Sequence, residues 1–276
     1  DLVIVPFGKS KEIGVVWDKI IKTGKKIKLK PVEKKITNVK LNMKLIKFIK
    51  WFSIYNLVPK GMILKMCLGN LKNFEKINKK LLIDNKHKPI QYHLNFEQKI
   101  ALKKLKSTGD KFNVSVLIGI TGSGKTLVYF ERIKKLIKEN KQALILIPEI
   151  FLTTQFQNRF KLFFGYEPAI WHSKISLNKK KNIWHSVAEN KTKIVLGARS
   201  SLFLPFKNLG LIVVDEEHDS SYKQEESVIY NARDMAISRA SIENIPIHLV
   251  TSVPSVETYN NIQKKKYNVT KLKKRY

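Results

Sequence analysis

The chain contains Gly119-Ile120-Thr121-Gly122-Ser123-Gly124-Lys125-Thr126, a match to the phosphate-binding pattern G-x-x-x-x-G-K-[ST]. The pattern carries chemical meaning only between a strand and a helix, and both are legible here. Val114-Ser115-Val116-Leu117-Ile118 reads as a buried strand. From Leu127 to Glu139, apolar residues recur at helical spacing: Leu127, Phe130, Ile133, Leu136 and Ile137. The glycines allow backbone N–H groups to turn toward phosphate oxygens that side chains would otherwise block. Gly119, Thr121, Gly122, Ser123, Gly124, Lys125 and Thr126 are therefore candidate ATP-binding residues. Lys125 is expected to reach the β- and γ-phosphates and Thr126 to hold Mg²⁺, while the helix N-terminus adds its positive dipole.

A chain of 276 residues with 43% apolar side chains can build one large domain or two smaller ones. No apolar run of about eighteen residues occurs, which argues against a membrane span. The chain opens at Asp1 rather than Met, so an upstream segment is expected. Cys67 is the one cysteine, which excludes an internal disulfide and a cysteine-cluster zinc site; a reducing, cytoplasmic setting is the expectation. The net charge of +31 points to a polyanion, with DNA the leading candidate. Only Arg132, Arg159, Arg199, Arg233, Arg239 and Arg275 are arginine among the 53 basic residues. Such lysine-heavy usage also fits nucleotide bias in the coding DNA, so charge supports DNA binding without establishing it. Residues 1–92 hold 22 basic and 6 acidic side chains, against 31 and 16 over residues 93–276. The front is the more positive part per residue.

Three regions are expected: a small β-rich domain over 1–40, a helical segment and lysine-rich linker over 41–92, and an α/β domain over 93–276. In the first, Leu2-Val3-Ile4-Val5-Pro6 and Ile13-Gly14-Val15-Val16-Trp17 flank Gly8-Lys9-Ser10-Lys11, a plausible hairpin. Residues 40–68 place Leu41, Leu45, Phe48, Ile49 and Phe52 on one helical face, and 70–92 reads as linker. Beyond Leu94, strands are predicted at 114–118, 143–147, 168–171, 193–197, 211–215 and 246–251. Helices alternate with them near 96–107, 127–139, 152–164, 178–189, 231–242 and 255–265. This alternation predicts a doubly wound, mostly parallel sheet with strand-end loops gathered on one edge.

A phosphate loop needs a second acid to position Mg²⁺ and a group to orient water. Leu211-Ile212-Val213-Val214 suits a strand buried on both faces, and it runs into Asp215-Glu216-Glu217-His218. Asp215 is expected to reach the metal and Glu216 to act as catalytic base, with Lys125 completing the catalytic set. Arg199, Ser200 and Ser201 follow a predicted strand and suit DNA phosphates; the alternative is a strand-end turn whose arginine pairs with a carboxylate. His218, Tyr222, Lys223 and Tyr230 fall in a stretch that could stack on bases and report DNA occupancy to the ATP site. The alternative there is a surface loop with its tyrosines packed on the core.

The sequence resembles the front part of the primosomal replication-restart DNA helicases, the PriA family of superfamily 2. Val5-Pro6-Phe7-Gly8-Lys9 with Ile13-Gly14-Val15-Val16 is similar to that family's 3′-DNA-end-binding domain, which implies a DNA role for Lys9. Leu94-Asn95-Phe96-Glu97-Gln98 resembles its adenine-proximal glutamine motif and implies ATP contact by Gln98. Further matches are Pro148-Glu149-Ile150 with Leu152-Thr153 and Gln155, and His172-Ser173. Gly197-Ala198-Arg199-Ser200-Ser201-Leu202-Phe203, Asp215 through Gln224, and Tyr230-Asn231-Ala232-Arg233-Asp234 are the most specific, and the last implies a coupling role for Arg233.

The resemblance implies a RecA-like lobe that uses ATP and Mg²⁺ and binds single-stranded or forked DNA. It also implies primosome or single-strand-binding proteins as partners. Four departures bear on this. Val250-Thr251-Ser252-Val253-Pro254 stands where the family has Gly-Ser-Ala-Thr-Pro, so a hydroxyl link between nucleotide site and DNA movement is expected to be lost at Val253. Val228 and Ile229 replace an expected tryptophan, residues 70–92 are short for a winged-helix domain, and the sequence stops at Tyr276 before a second lobe. ATP binding with weak turnover is therefore expected, the second lobe coming from a separate chain if at all. A nucleic-acid module with a vestigial loop and a P-loop enzyme for small molecules are the competing readings.

Overall fold

The computed structural model describes residues 1–17, 30–36, 41–68 and 88–275, so most of the linker expected over 70–92 lies outside the described residues. The front begins with β1 (Leu2–Phe7), β2 (Ser10–Val15) and β3 (Lys34–Ile36), an antiparallel sheet in the order β2-β1-β3. Phe7 pairs with Ser10 across the expected hairpin. Helices α1 (Met43–Tyr55), α2 (Lys60–Leu68) and α3 (Phe96–Ser107) follow. Then come β4 (Val114–Gly119), α4 (Lys125–Lys138), β5 (Gln142–Leu146) and α5 (Thr154–Phe164). β6 (Ala169–Trp171), α6 (Leu177–Ala188), β7 (Ile194–Gly197) and β8 (Leu209–Asp215) continue the alternation. A two-stranded ladder, β9 (Lys223–Gln224) and β10 (Tyr230–Asn231), precedes α7 (Ala232–Glu243) and β11 (Ile247–Thr251). The chain closes with α8 (Val256–Gln263) and β12 (Asn268–Leu272).

The main sheet is parallel, in the order β12-β4-β11-β8-β5-β7-β6. All six expected strands are in it. β12 was not expected: its residues alternate exposed and buried at the end of a lysine-rich stretch, the mark of an edge strand, and the apolar run that signals a central strand is missing. β5 and β8 are buried at every position, which requires helices on both faces. The period-2 alternation of side chains sorts Leu144, Leu146, Ile212 and Val214 into one core. Ala143, Ile145, Leu211 and Val213 fall into the other. On the second face an aromatic cluster forms around Phe130, whose ring centroid lies 5.0–6.0 Å from those of Phe156, Phe160, Phe163 and Phe164.

α1 and α2 pack on the first face, as the apolar stripe of Leu45, Phe48, Ile49 and Phe52 requires. Asn42 caps α1 by accepting from the Leu45 N–H at 2.7 Å and also donates to the Phe206 carbonyl. Leu45, Phe48, Ile49 and Phe52 are all fully buried, with Phe52 edge-on to Phe203 at 5.3 Å. The Trp184 indole on α6 donates to the Cys67 carbonyl on α2 at 2.7 Å. Each buried aromatic of this kind contributes about 1.5–3 kcal/mol through apolar burial. The buried residues of α1 and α2 thus share one core with the first face of the sheet.

His248 on β11 is fully buried, and neither ring nitrogen has a well-formed hydrogen bond among the described residues. Burial pushes its pKa down to about 3; the Arg132 guanidinium adds to this and a contact with the Ile247 backbone offsets it only in part. The unfolded chain takes up this proton near pH 6.5, whereas the folded chain does not until about 3. Stability therefore falls as pH drops from about 6.5 toward 3, by at most about 1.4 kcal/mol per pH unit from this group. Melting curves of wild type and His248→Leu between pH 7 and 4 test this. The variant is expected to lose less stability on acidification, and parallel curves would show that His248 does not set the dependence.

Candidate nucleotide site and its coupling network

β4 delivers the chain into the loop at Gly119, where no side chain fits. A Cβ there would lie 2.5 Å from Ser123 Oγ and 3.1 Å from the Leu272 Cβ. Gly122 (φ 82°) and Gly124 (φ 78°) adopt the left-handed conformation that winds the loop back onto α4. Gly124 is the N-cap of α4 and supplies no side-chain bond; the Leu127 N–H donates to the Gly124 carbonyl at 3.0 Å, which leaves the Lys125 and Thr126 N–H groups at the start of the helix without a partner among the described residues. Ser123 Oγ is likewise buried without a partner among the described residues. These orphan donors fit a bound phosphate.

Lys125 is largely buried. Its Nζ donates to the Gly119 carbonyl at 2.6 Å and lies 4.0 Å from Glu216 Oε1. Thr121 is exposed at the loop tip, and Thr126 lies in the first turn of α4, partly buried. Gln98 is fully buried and holds the loop from outside. Its Nε2 donates to the Ser123 carbonyl at 3.0 Å, while its Oε1 accepts from the Asn95 N–H at 2.9 Å in a capping box.

The acid lies two strands away, at the end of β8. Asp215 Oδ2 accepts from the Tyr129 hydroxyl at 2.8 Å, and Oδ1 accepts from the Glu216 N–H at 3.1 Å. Burial raises the Asp215 pKa to about 6; the Tyr129 hydrogen bond opposes the rise, Glu216 adds to it and Lys125 opposes it. Glu216 has φ 49°, unusual for a residue with a side chain, and this turn aims its carboxylate at the loop. Among the described residues no cluster of three or more His, Cys, Asp or Glu could hold a metal. A cation between Thr126 and Asp215 would therefore depend on phosphate oxygens for the rest of its ligands.

Behind this acid pair runs a second network. Glu217 is buried, and its Oε1 accepts from the Ser255 N–H at 2.8 Å. Its Oε2 accepts from Thr258 Oγ1 at 2.9 Å, Ser255 Oγ at 3.1 Å and Arg233 Nη1 at 3.3 Å. His218 Nδ1 lies 2.8 Å from Thr251 Oγ1, whose proton goes to the Val253 carbonyl at 2.7 Å. His218 Nδ1 must therefore be the donor to Thr251. Thr251 therefore joins His218 to the turn that contains Val253. The Val253 side chain is 67% exposed and its backbone carbonyl makes the contact.

The expected DNA-facing residues divide into two groups. Lys9 is exposed in the β1–β2 turn beside Phe7, which is 72% exposed, and Lys223 is exposed beside Glu225 at 3.0 Å. Arg199 Nη1 donates to the Lys223 carbonyl at 2.7 Å, and Ser200 Oγ accepts from the Trp171 indole at 3.2 Å. The other group is internal. Ser201 Oγ donates to the Ala198 carbonyl at 2.6 Å. The Tyr222 hydroxyl shares one proton between the Asp215 carbonyl at 2.6 Å and the Leu146 carbonyl at 3.0 Å. Tyr230 packs edge-on against Phe52 at 5.3 Å, and Arg233 is bound to Glu217, Asp234 and Ser255. The tyrosines of the 218–230 stretch thus follow the core-packing alternative.

Sequence reasoning missed Tyr129, Glu217, Thr251, Ser255 and Thr258 as members of the site. Tyr129 had a usable signal, four residues after Lys125 and so on the same helical face. Ser255 had one as well, an N-cap serine before α8.

The chain is similar to known proteins along its whole length. Residues 91–268 match the family described as "Type III restriction enzyme, res subunit", and residues 1–69 match the PriA "3'DNA-binding domain (3'BD)". The replication restart protein PriA of Rickettsia conorii is 40% identical over 285 residues, covering 100% of this chain and 42% of that protein. The Bacillus subtilis protein of the same name is 43% identical over 184 residues, covering 66% of this chain and 23% of its own length. Among solved structures, the UvsW helicase from bacteriophage T4 has a TM-score of 0.47 at 17% identity, covering 72% of this chain and 69% of that one. The chain thus spans well under half the length of the curated relatives it matches. With a res-subunit core behind a 3′ DNA-binding front, the chain belongs to the replication-restart PriA family.

Proposed function

We propose that the chain is the ATP- and DNA-binding lobe of a replication-restart helicase. The observation that carries this reading is the approach of three groups to one loop: orphan N–H donors at the start of α4, the buried Lys125 ammonium, and Glu216 at 4.0 Å from it. Lys125 would exchange the Gly119 carbonyl for phosphate oxygens. Glu216, pointed at the loop by its left-handed backbone, would accept the proton of an attacking water. Thr126 and Asp215 would hold Mg²⁺, which neutralises phosphate charge when bound. Asp215 is set up for this role, because a cation would replace the stabilisation that burial withholds from its ionised form. Full turnover would draw further positive charge from a second lobe, on the same polypeptide or a separate one.

DNA would meet the exposed Lys9 and Phe7 of the β1–β2 turn and the strand-end surface around Arg199, Ser200 and Lys223. Single-stranded or forked DNA is the proposed partner, with other primosome or single-strand-binding proteins beyond it. The setting proposed for this work is the cytoplasm. Among the described residues no helix is long and apolar enough to cross a membrane.

Nucleotide titration of the purified chain tests the site. Lys125→Ala removes a charge-assisted contact and is expected to weaken ATP binding roughly 10- to 150-fold. Glu216→Gln should keep ATP affinity within about threefold while any turnover falls by roughly 10²–10⁴. Unchanged affinity in Lys125→Ala would rule out the phosphate-loop assignment. DNA affinity should fall steeply with added salt if lysine–phosphate contacts dominate, and a flat response would remove DNA from the reading.

Glu217 links the acid-bearing strand to α7 and α8, so it is proposed to couple DNA occupancy to turnover. Glu217→Gln leaves Arg233 short of one buried partner and should cost about 3–5 kcal/mol of stability. ATP affinity should persist while DNA stimulation of ATP turnover is lost. Stimulation that survives in a folded variant would confine Glu217 to a structural role.

A further inference from the structure

The unexpected edge strand β12 brings a basic segment to the mouth of the phosphate loop. Leu272 pairs level with Gly119, so the residues after it run beside the loop. Glu97, in the first turn of α3, fixes them there: its Oε2 accepts from the Lys273 N–H at 3.0 Å and the Lys274 N–H at 3.2 Å. The next residue, Gln98, holds the Ser123 carbonyl of the loop itself. One helix end therefore positions both the loop and the segment Lys273-Lys274-Arg275. Arg275 is exposed, and its stem passes over the loop, since a Cβ on Gly122 would lie 4.0 Å from Arg275 Cγ. It has no ion-pair partner among the described residues.

Strand order decides which part of a nucleotide Arg275 would meet. From β4 the acids Asp215 and Glu216 lie on one side, across β11 on β8, while β12 and Arg275 lie on the other. A phosphate tail that extends from the loop toward the acids leaves the nucleoside on the β12 side. Gln98 is poorly placed to read the base there, because it is fully buried and its amide is bonded at both ends to the protein backbone. A planar guanidinium suits the face of a base, where it stacks and adds cation–π attraction without reading the edge.

We propose that Arg275, presented over Gly122 by the Glu97-anchored segment, is a nucleoside-binding residue of this site, its guanidinium lying against the face of a bound purine. The inference rests on the nucleotide reading above. It also implies that ATP and GTP are held with similar affinity, since a base face does not distinguish them.

Binding titrations of ATP, GTP and inorganic tripolyphosphate to the 276-residue chain test it, with Lys125→Ala as the control for the loop. Arg275→Ala is expected to weaken ATP and GTP alike, roughly two- to thirtyfold, and to leave tripolyphosphate within twofold. Arg275→Lys should recover little, because it restores charge without the plane. Glu97→Gln should weaken ATP in the same sense through the loosened segment. If Lys125→Ala loses ATP while Arg275→Ala does not, the loop stands and the Arg275 proposal fails. Equal losses for ATP and tripolyphosphate in Arg275→Ala would make it a phosphate contact and also overturn the proposal. If Lys125→Ala keeps full affinity, the nucleotide reading itself fails and the Arg275 proposal fails with it.

Discussion

The site depends on three consecutive carboxylates held at the buried end of one apolar strand. β8 is buried from Leu209 to Asp215, so the acids that follow leave the strand in a poorly solvated region and each needs its own compensation. Asp215 has Tyr129 and the Glu216 N–H, and still its pKa sits near 6. Glu216 has a positive φ that carries its side chain toward Lys125. Glu217 lies deepest and receives four hydrogen bonds from Arg233, Ser255 and Thr258. Three consecutive carboxylates thus occupy three different environments without any insertion. The same desolvation that makes Asp215 costly without a cation makes it receptive to one.

This arrangement is stiffened from the front of the chain. Arg239 on α7 is fully buried and donates to the carbonyls of Leu202 and Leu204, in the turn that follows β7. Its guanidinium lies 5.7 Å from the Phe48 ring centroid and 5.4 Å from that of Phe206. One side chain therefore ties α1, α7 and the Arg199–Phe203 turn together. Because Arg199 in that turn bonds the Lys223 carbonyl, movement of the strand-end surface would be felt by α7 and, through Arg233, by Glu217. The path alternates side-chain hydrogen bonds with the Arg199–Phe203 turn and the body of α7, elements stiff enough to transmit a displacement.

The parts legible in the sequence are those governed by local rules. A glycine pattern between an apolar run and a helical repeat suffices for the loop, and continuous apolar runs suffice for β5, β7 and β8. What escaped was tertiary. β12 reads as a polar lysine-rich stretch because only one of its faces is covered. Tyr222 and Tyr230 looked available for stacking because composition does not reveal that their rings fill the core behind the acids. Nor could the spacing of α1 and α2 show which face of the sheet they would cover.

Charge composition reads differently once the fold is known. Arg132, Arg233 and Arg239 are buried: Arg132 pairs with Asp110 at 2.8 Å, Arg233 with Glu217 and Asp234, and Arg239 with backbone carbonyls. At Arg233 and Arg239 several fixed acceptors converge on one planar guanidinium, an arrangement a lysine ammonium would serve poorly. Among the described residues the lysines, by contrast, lie mostly on the surface, where a cation of any geometry suffices. A bias toward lysine in the coding DNA would replace arginine first where the plane is unneeded. Burial accounts for arginine at these three positions and not at the exposed Arg159 and Arg275 or the half-buried Arg199, of which Arg199 bonds the Lys223 carbonyl and Arg275 lies over the phosphate loop.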